Sequence, residues 1–165
     1  MKSPSRTGPS AVSSAKSGAA APDFELAGQA GPLRLADFKG KPLVLYFYPK
    51  DDTTGCTREA QDFTAAAGDF AKAGAAVVGV SKDSLASHEK FKTKYDLAVQ
   101  LGSDPEGKVV ERYGSWVEKN LYGRKYMGID RSTFLIDKDG AIRRIWRKVK
   151  VPGHAAEVLK AVQTL

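Results

Sequence analysis

A chain of 165 residues suits one domain with an ordinary hydrophobic core, and 42% apolar with 27% charged residues excludes a wholly disordered polymer. No apolar run approaches the roughly 20 residues needed to cross a bilayer, which excludes a spanning helix. The net charge of +7 raises nucleic acid or an acidic membrane surface as partners, but Lys2, Arg6 and Lys16 sit in a head with no acidic residue before Asp23; only +4 remains on the rest, and neither partner is expected.

Residues 1–21, rich in Ser, Ala, Gly and Pro and without a periodic apolar face, predict a disordered tail, leaving 22–165 as the folded domain. Ser13, Ser14 and Lys16 interrupt the apolar stretch that a secretory signal requires; an organelle transit peptide shares the Ser-rich, acid-poor composition. LVLYFY at 43–48 reads as a strand buried on both faces. Ala60, Phe63, Ala67 and Phe70 recur at helical spacing before Gly74, which predicts a helix over about 55–73. AVVGV at 76–80 is a second buried strand, and strand, helix, strand implies a right-handed crossover between parallel neighbours. A helix around 84–94 and a short strand near 97–101 extend the layer. STFLID and AIRRIW, joined by KDG at 138–140, read as a hairpin, and Ala155, Val158, Leu159 and Val162 mark a closing helix after Pro152 and Gly153. The expected fold class is α/β, a mixed central sheet flanked by helices.

Cys56 is the only cysteine, so there is no disulfide framework and no cysteine-based zinc cluster; a reducing, cytoplasmic setting is expected. A lone thiol is commonly a small buried hydrophobe. Here it follows a central strand and begins a helix, where open α/β sheets gather their ligand sites and where unpaired N–H groups favour an anion. Gly55 removes a side chain beside the sulfur, Thr53 offers a hydroxyl within the loop, and Pro49 stiffens its entry.

Pro49, Thr53 and Cys56 stand as P-x-x-x-T-x-x-C. This resembles the peroxiredoxins, thiol peroxidases of thioredoxin-like fold, and YFYPKDDTTGCTREAQDF is similar to their bacterioferritin comigratory protein (PrxQ) subfamily. The likeness continues through GVSKDSLASHEKF, KNLYGRKYMGIDRSTFLIDKDGAI and WRKVKVPGHA. It implies a catalytic Cys56 whose thiolate attacks peroxide and becomes a sulfenic acid. It also implies that Thr53 positions peroxide and thiolate, that Pro49 shields the site, and that Arg131 stabilises negative charge as the O–O bond breaks. Gly55, Thr53 and Arg131 would contact the substrate. Glu59 matches an acidic residue that orients the site from behind; a first-turn glutamate satisfying the helix dipole reads equally well.

The pattern departs from the subfamily in two places. Thr54 stands where many relatives carry proline, and a resolving cysteine is missing from both family positions, occupied here by Gln61 and, as aligned, Lys92. A one-cysteine cycle is therefore expected, with glutathione and glutaredoxin or a thioredoxin as the external reductant. The alternative is a redox-sensing or chaperone-like protein in which oxidation of Cys56 is a switch. No bound organic cofactor is expected, since neither a P-loop nor G-x-G-x-x-G occurs. His88 and His154 are read as surface or capping residues, with no metal site. The five basic residues of IRRIWRKVKV are read as a solvated face rather than a nucleic-acid surface, while Trp116, Trp146 and the Tyr122–Tyr126 region are left between lining the site and packing the surface. The resemblance implies a monomer or weak dimer.

Overall fold

The computed structural model describes residues 15–165. The chain runs through β1 (Glu25–Gly28), β2 (Gly31–Arg34), a 3-10 turn (Leu35–Phe38), β3 (Leu43–Phe47), α1 (Thr54–Ala65), α2 (Ala67–Lys72), β4 (Ala76–Ser81) and α3 (Leu85–Tyr95). It continues through β5 (Gln100–Ser103), α4 (Lys108–Arg112), β6 (Trp116–Leu121), β7 (Arg124–Ile129), β8 (Ser132–Ile136), β9 (Ile142–Trp146) and α5 (His154–Gln163). Seven strands form one sheet in the order β2-β1-β5-β4-β3-β8-β9, while β6 and β7 pair separately. β3 is parallel to β4 and β4 to β5, as expected of the crossovers; β8 and β9 add the antiparallel hairpin.

All five residues of β3 are buried, and alternation along it feeds two cores. Leu43, Leu45 and Phe47 join Phe24, Val80, Tyr113 and Phe134 on one face. Val44, Tyr46 and Tyr48 join Cys56, Phe63, Phe70, Phe91 and Val158 on the other, beneath α1, α3 and α5. Each such side chain contributes roughly 1.5–3 kcal/mol on leaving water, so the strand carrying the site loop is among the most firmly held elements. Among the described residues, no helix is long and apolar enough to cross a membrane.

Three expectations need correction. Of the tail expected over 1–21, residues 1–14 lie outside the described residues, but 15–21 are tied to the domain: Gly18 N–H donates to Ile142 O, Ile142 N–H to Ala19 O and Ala21 N–H to Gly140 O, and Ala15 is buried. A composition rich in small residues and without a periodic apolar face predicts disorder here, yet this segment needs little apolar surface because the open edge of β9 accepts its backbone. The single helix expected over 55–73 is two, divided at Ala66 (ψ 2°). The small side chains of Ala65, Ala66 and Ala67 leave the helix course there to packing, which sets Phe70 against Phe63 with ring centres 5.8 Å apart. His88 and His154 are not surface residues; both are buried.

Candidate active site

The site loop leaves β3 at Tyr48, passes through Pro49, Lys50, Asp51 and Asp52, and enters α1 with Thr53 as N-cap. Two consecutive aspartates fasten it to α3. Asp51 accepts hydrogen bonds from Tyr48 Oη (2.6 Å) and Ser87 Oγ (2.8 Å), and its carboxylate lies 2.7 Å from His88 Nδ1. Burial works against ionisation of Asp51, but these donors outweigh it and hold the carboxyl below its ordinary range. Asp52, at φ 60°, accepts from Tyr95 Oη (2.6 Å) and Lys94 Nζ (2.9 Å).

Cys56, in the first turn of α1, is buried at 2% exposure. Arg131, just before β8, reaches it across the top of the sheet: Nη2 donates to Cys56 Sγ at 3.4 Å, while Nη1 donates to Glu59 Oε1 at 2.7 Å. One planar guanidinium thus bridges the thiol and a carboxylate one helical turn further on, using the fork geometry that lysine lacks. Burial opposes the charge on Arg131, but Glu59 and the sulfur overcome it and hold the group more firmly protonated. Gly55 clears the path for this arm, since a Cβ there would lie 3.1 Å from Nη2.

Glu59 is 1% exposed, so it is not a solvated first-turn glutamate. Its contact with Arg131 favours the carboxylate, whereas burial favours the acid. With Oε2 buried and without a hydrogen-bond partner among the described residues, burial wins and pushes the carboxyl up to about 7. Behind it Tyr46 stacks on Phe63 at 4.8 Å, and its hydroxyl occupies the space that a Cβ on Gly79 would need (2.7 Å). Burial, then Glu59 and Cys56, raise the Tyr46 phenol well above its usual range, so it stays neutral.

The structure therefore brings Cys56, Arg131, Glu59 and Gly55 into contact range of one another. It places Thr53 and Pro49 on the exposed rim, with Thr53 Oγ1 donating to Lys50 O at 2.8 Å. Gln61 is exposed on α1 and Lys92 half-buried on α3. Asp51, Asp83 and His88 bring side-chain ligand atoms within 4.8 Å of one another. They already form a closed net, with Asp83 Oδ2 accepting from Asp51 N–H and Ser81 Oγ–H, so a cation there would have to break it. The role of this net in holding the loop was missed in the sequence. His88, Phe91 and Tyr95 fall on one face of α3, and that spacing was the available signal.

The aromatic residues left open divide. Trp116 lies under Lys82 Nζ, 4.3 Å from its ring; Trp146 donates to Glu157 Oε2 and stands edge-on to His154. Tyr122 is 99% exposed at the tip of the β6–β7 hairpin. In the basic stretch, Arg144 pairs with Glu157 at 2.9 Å and Arg147 donates to the carbonyls of Tyr113 and Gly114.

Residues 17–145 match the AhpC/TSA family. The peroxiredoxin Bcp of Bacillus subtilis is 50% identical over 149 residues, covering 90% of this chain and 95% of that protein; the peroxiredoxin Bcp of Xanthomonas campestris is 48% identical over 124 residues, covering 75% and 78%. Among solved structures, the bacterioferritin comigratory protein of Xanthomonas campestris, studied for its alkyl peroxide reduction activity, superposes with a TM-score of 0.81 at 44% identity over 86% of this chain and 90% of that one. A Xylella fastidiosa PrxQ mutant superposes at 0.86 with 36% identity, over 93% and 98%. The thioredoxin-like sheet, the helix-borne thiol and these likenesses agree: the chain belongs to the AhpC/TSA family, in its peroxiredoxin Bcp (PrxQ) branch, and carries a single cysteine.

Proposed function

We propose that this thiol peroxidase reduces hydrogen peroxide and organic hydroperoxides at Cys56, by way of a sulfenic acid that an external thiol recycles. The observation that carries the reading is the Arg131 guanidinium, 3.4 Å from Cys56 Sγ and fixed from behind by Glu59. The Cys56 thiolate attacks one peroxide oxygen, an S–O bond forms as the O–O bond breaks, and the departing hydroxide or alkoxide takes a proton to leave as water or alcohol. Arg131 faces the oxygens where charge develops, and backbone N–H groups at the start of α1 add to that field. Thr53, its proton donated to Lys50 O, presents oxygen lone pairs that can accept from the hydroperoxide, and Pro49 covers the rim.

The return half needs a second thiol from outside. That thiol attacks the sulfenic sulfur, water leaves, and a mixed disulfide forms that a further thiol reduces. Glutathione with glutaredoxin, or a thioredoxin, would serve, and a reducing cytoplasm would supply either. The chain would act as a monomer or weak dimer without a metal or organic cofactor. A second reading, a redox switch, is favoured by the burial of Cys56, which keeps a bulky reductant from the sulfur in this conformation.

Intact mass after one equivalent of peroxide, followed by turnover with each reductant, tests both. Gain of one oxygen and steady consumption of peroxide support the enzyme cycle; rapid oxidation without turnover by either reductant would favour the switch. A Cys56→Ser variant that consumed peroxide at the parent rate would remove Cys56 from the chemistry altogether.

A further inference from the structure

The hydrogen bonds of His88 fix more than its place. The ring is fully buried between the site loop, α3 and β5. Nε2 faces the Gly102 carbonyl at 3.2 Å, and a carbonyl only accepts, so Nε2 carries hydrogen. Nδ1 faces Asp51 Oδ2 at 2.7 Å, and that carboxylate is already surrounded by the donors Tyr48 Oη and Ser87 Oγ. Both ring nitrogens thus point at acceptors, which is the hydrogen-bond demand of an imidazolium rather than of either neutral tautomer. The titratable groups gathered around it are Asp51 from the site loop, Asp83 from the β4–α3 connection and Tyr48 from the end of β3, whose hydroxyl is 3.5 Å from Nδ1. Ser81 Oγ–H and Asp51 N–H both donate to Asp83, which completes the net. Asp51 lies five residues before Cys56, on the rigid span that delivers α1 to Arg131.

We infer that His88 is a positioning residue for peroxide reduction: as an imidazolium held by Asp51 and the Gly102 carbonyl, it anchors the site loop to α3 and β5 and so sets the approach of Cys56 to peroxide. It touches neither the sulfur nor substrate, and acts through Asp51. Near-attack geometry is sensitive on the ångström scale, so releasing this anchor slows the first chemical step. This rests on Cys56 being the thiol that meets peroxide.

The test combines a direct view of the ring with a rescue series. With only His88 and His154 in the chain, 15N NMR of histidine-labelled protein resolves both rings; the His88 nitrogens should both appear as N–H donors, and a ring with one bare nitrogen would overturn the inference even if no variant folded. In stopped-flow oxidation of Cys56, His88→Leu should be slower by about tenfold or more. His88→Asn, whose amide nitrogen can stand where Nδ1 does and donate to Asp51, should recover most of the rate, whereas His88→Gln, directed at the Gly102 carbonyl, should not. A folded His88→Leu protein oxidised at the parent rate, or equal recovery by Asn and Gln, would overturn it. The parent is the control that separates the two claims: no oxygen gained at its Cys56 would sink the peroxidase reading and this inference together, while normal parental oxidation with unaffected variants sinks the inference alone.

Discussion

Arg131 Nη2 lies 3.4 Å from Cys56 Sγ although 75 residues of chain separate them. The same guanidinium pairs with Glu59, so thiol, cation and carboxylate form one unit held by β8 on one side and α1 on the other. Arg131→Ala removes the donor and leaves Glu59 buried without its partner. The expected result is a fall of roughly 10²–10³ in the rate of Cys56 oxidation, the scale of losing one preorganised donor. Arg131→Lys should restore little, because one ammonium cannot span both groups. Stopped-flow oxidation decides this; a lysine variant within about twofold of the parent would show that the fork is not required.

Gly55 separates chemistry from stability. In the first turn of α1, alanine is favoured over glycine by up to about 1 kcal/mol, so Gly55→Ala should melt at the parent temperature or slightly above. Its methyl, however, would meet Arg131 Nη2 at 3.1 Å, so the guanidinium must give by about a few tenths of an ångström beside the sulfur. Slower oxidation with undiminished stability is the expected pair of outcomes, read from the rate assay and a thermal melt on the same sample.

The absent resolving cysteine can be tested by supplying one. Lys92 is half-buried on α3, the helix to which Asp51 and Asp52 fasten the site loop. Lys92→Cys should therefore capture the Cys56 sulfenic acid as an internal disulfide, seen as a loss of two hydrogens relative to the reduced variant after one equivalent of peroxide. It should also limit further oxidation to the sulfinic acid when no reductant is present. A variant that accumulates sulfinic acid as readily as the parent, with its second thiol still titratable, would place Lys92 outside the reach of the oxidised loop.

How much of this was legible in the chain depended on whether a feature is local. LVLYFY, the Asp139-Gly140 turn and the amphipathic closing helix announce themselves within a few residues, and the structure places β3, the β8–β9 hairpin and α5 there. The β6–β7 hairpin did not, because its two-residue turn uses Tyr122 at φ 52° before Gly123 at φ 80°, a conformation for which asparagine or aspartate is the usual signal. Asn120 instead steadies the turn by accepting the Gly123 N–H through its side chain. At the site, Cys56, Thr53 and Pro49 came from one contiguous motif, and Arg131 from its place in the R-S-T-F stretch. His88 was misread because its partners come from Asp51, 37 residues back, and Gly102, 14 ahead, and no local pattern reports such a closure.

Glu59 should impose a measurable pH dependence. Its carboxyl moves from an ordinary 4.5 to about 7 on folding, so the unfolded chain gives up its proton first. Stability contributed at this position is intact below about 4.5 and is lost as pH rises toward 7, by on the order of 3 kcal/mol. Glu59→Gln cannot ionise and lacks that slope. Urea unfolding of both proteins between pH 4 and 8 should show the parent losing ground to the variant as pH rises; a difference that stays flat would show that folding does not raise the Glu59 carboxyl, and one that grows in the parent's favour would show that Arg131 outweighs burial there.

His154 should act in the opposite direction. It opens α5, and its Nε2 is hydrogen-bonded to Thr133 Oγ1 at 2.8 Å. Burial lowers it from 6.5 to about 4, against the attraction of Glu157, so the folded ring is neutral where the unfolded one is already protonated. Stability is therefore full above about 6.5 and falls as pH drops toward 4, again by on the order of 3 kcal/mol. His154→Gln can retain a hydrogen bond to Thr133 without titrating, so its unfolding midpoint should fall less steeply below pH 6.5 than the parent's. Since Glu59 and His154 act with opposite sign over nearly the same window, their contributions offset in the parent; the two single variants should diverge from it in opposite directions between pH 4.5 and 6.5, and the double variant should run parallel to the parent. Parallel profiles for parent and His154→Gln would mean that the ring is protonated in the folded state, and would sever this link between Thr133, α5 and the pH response.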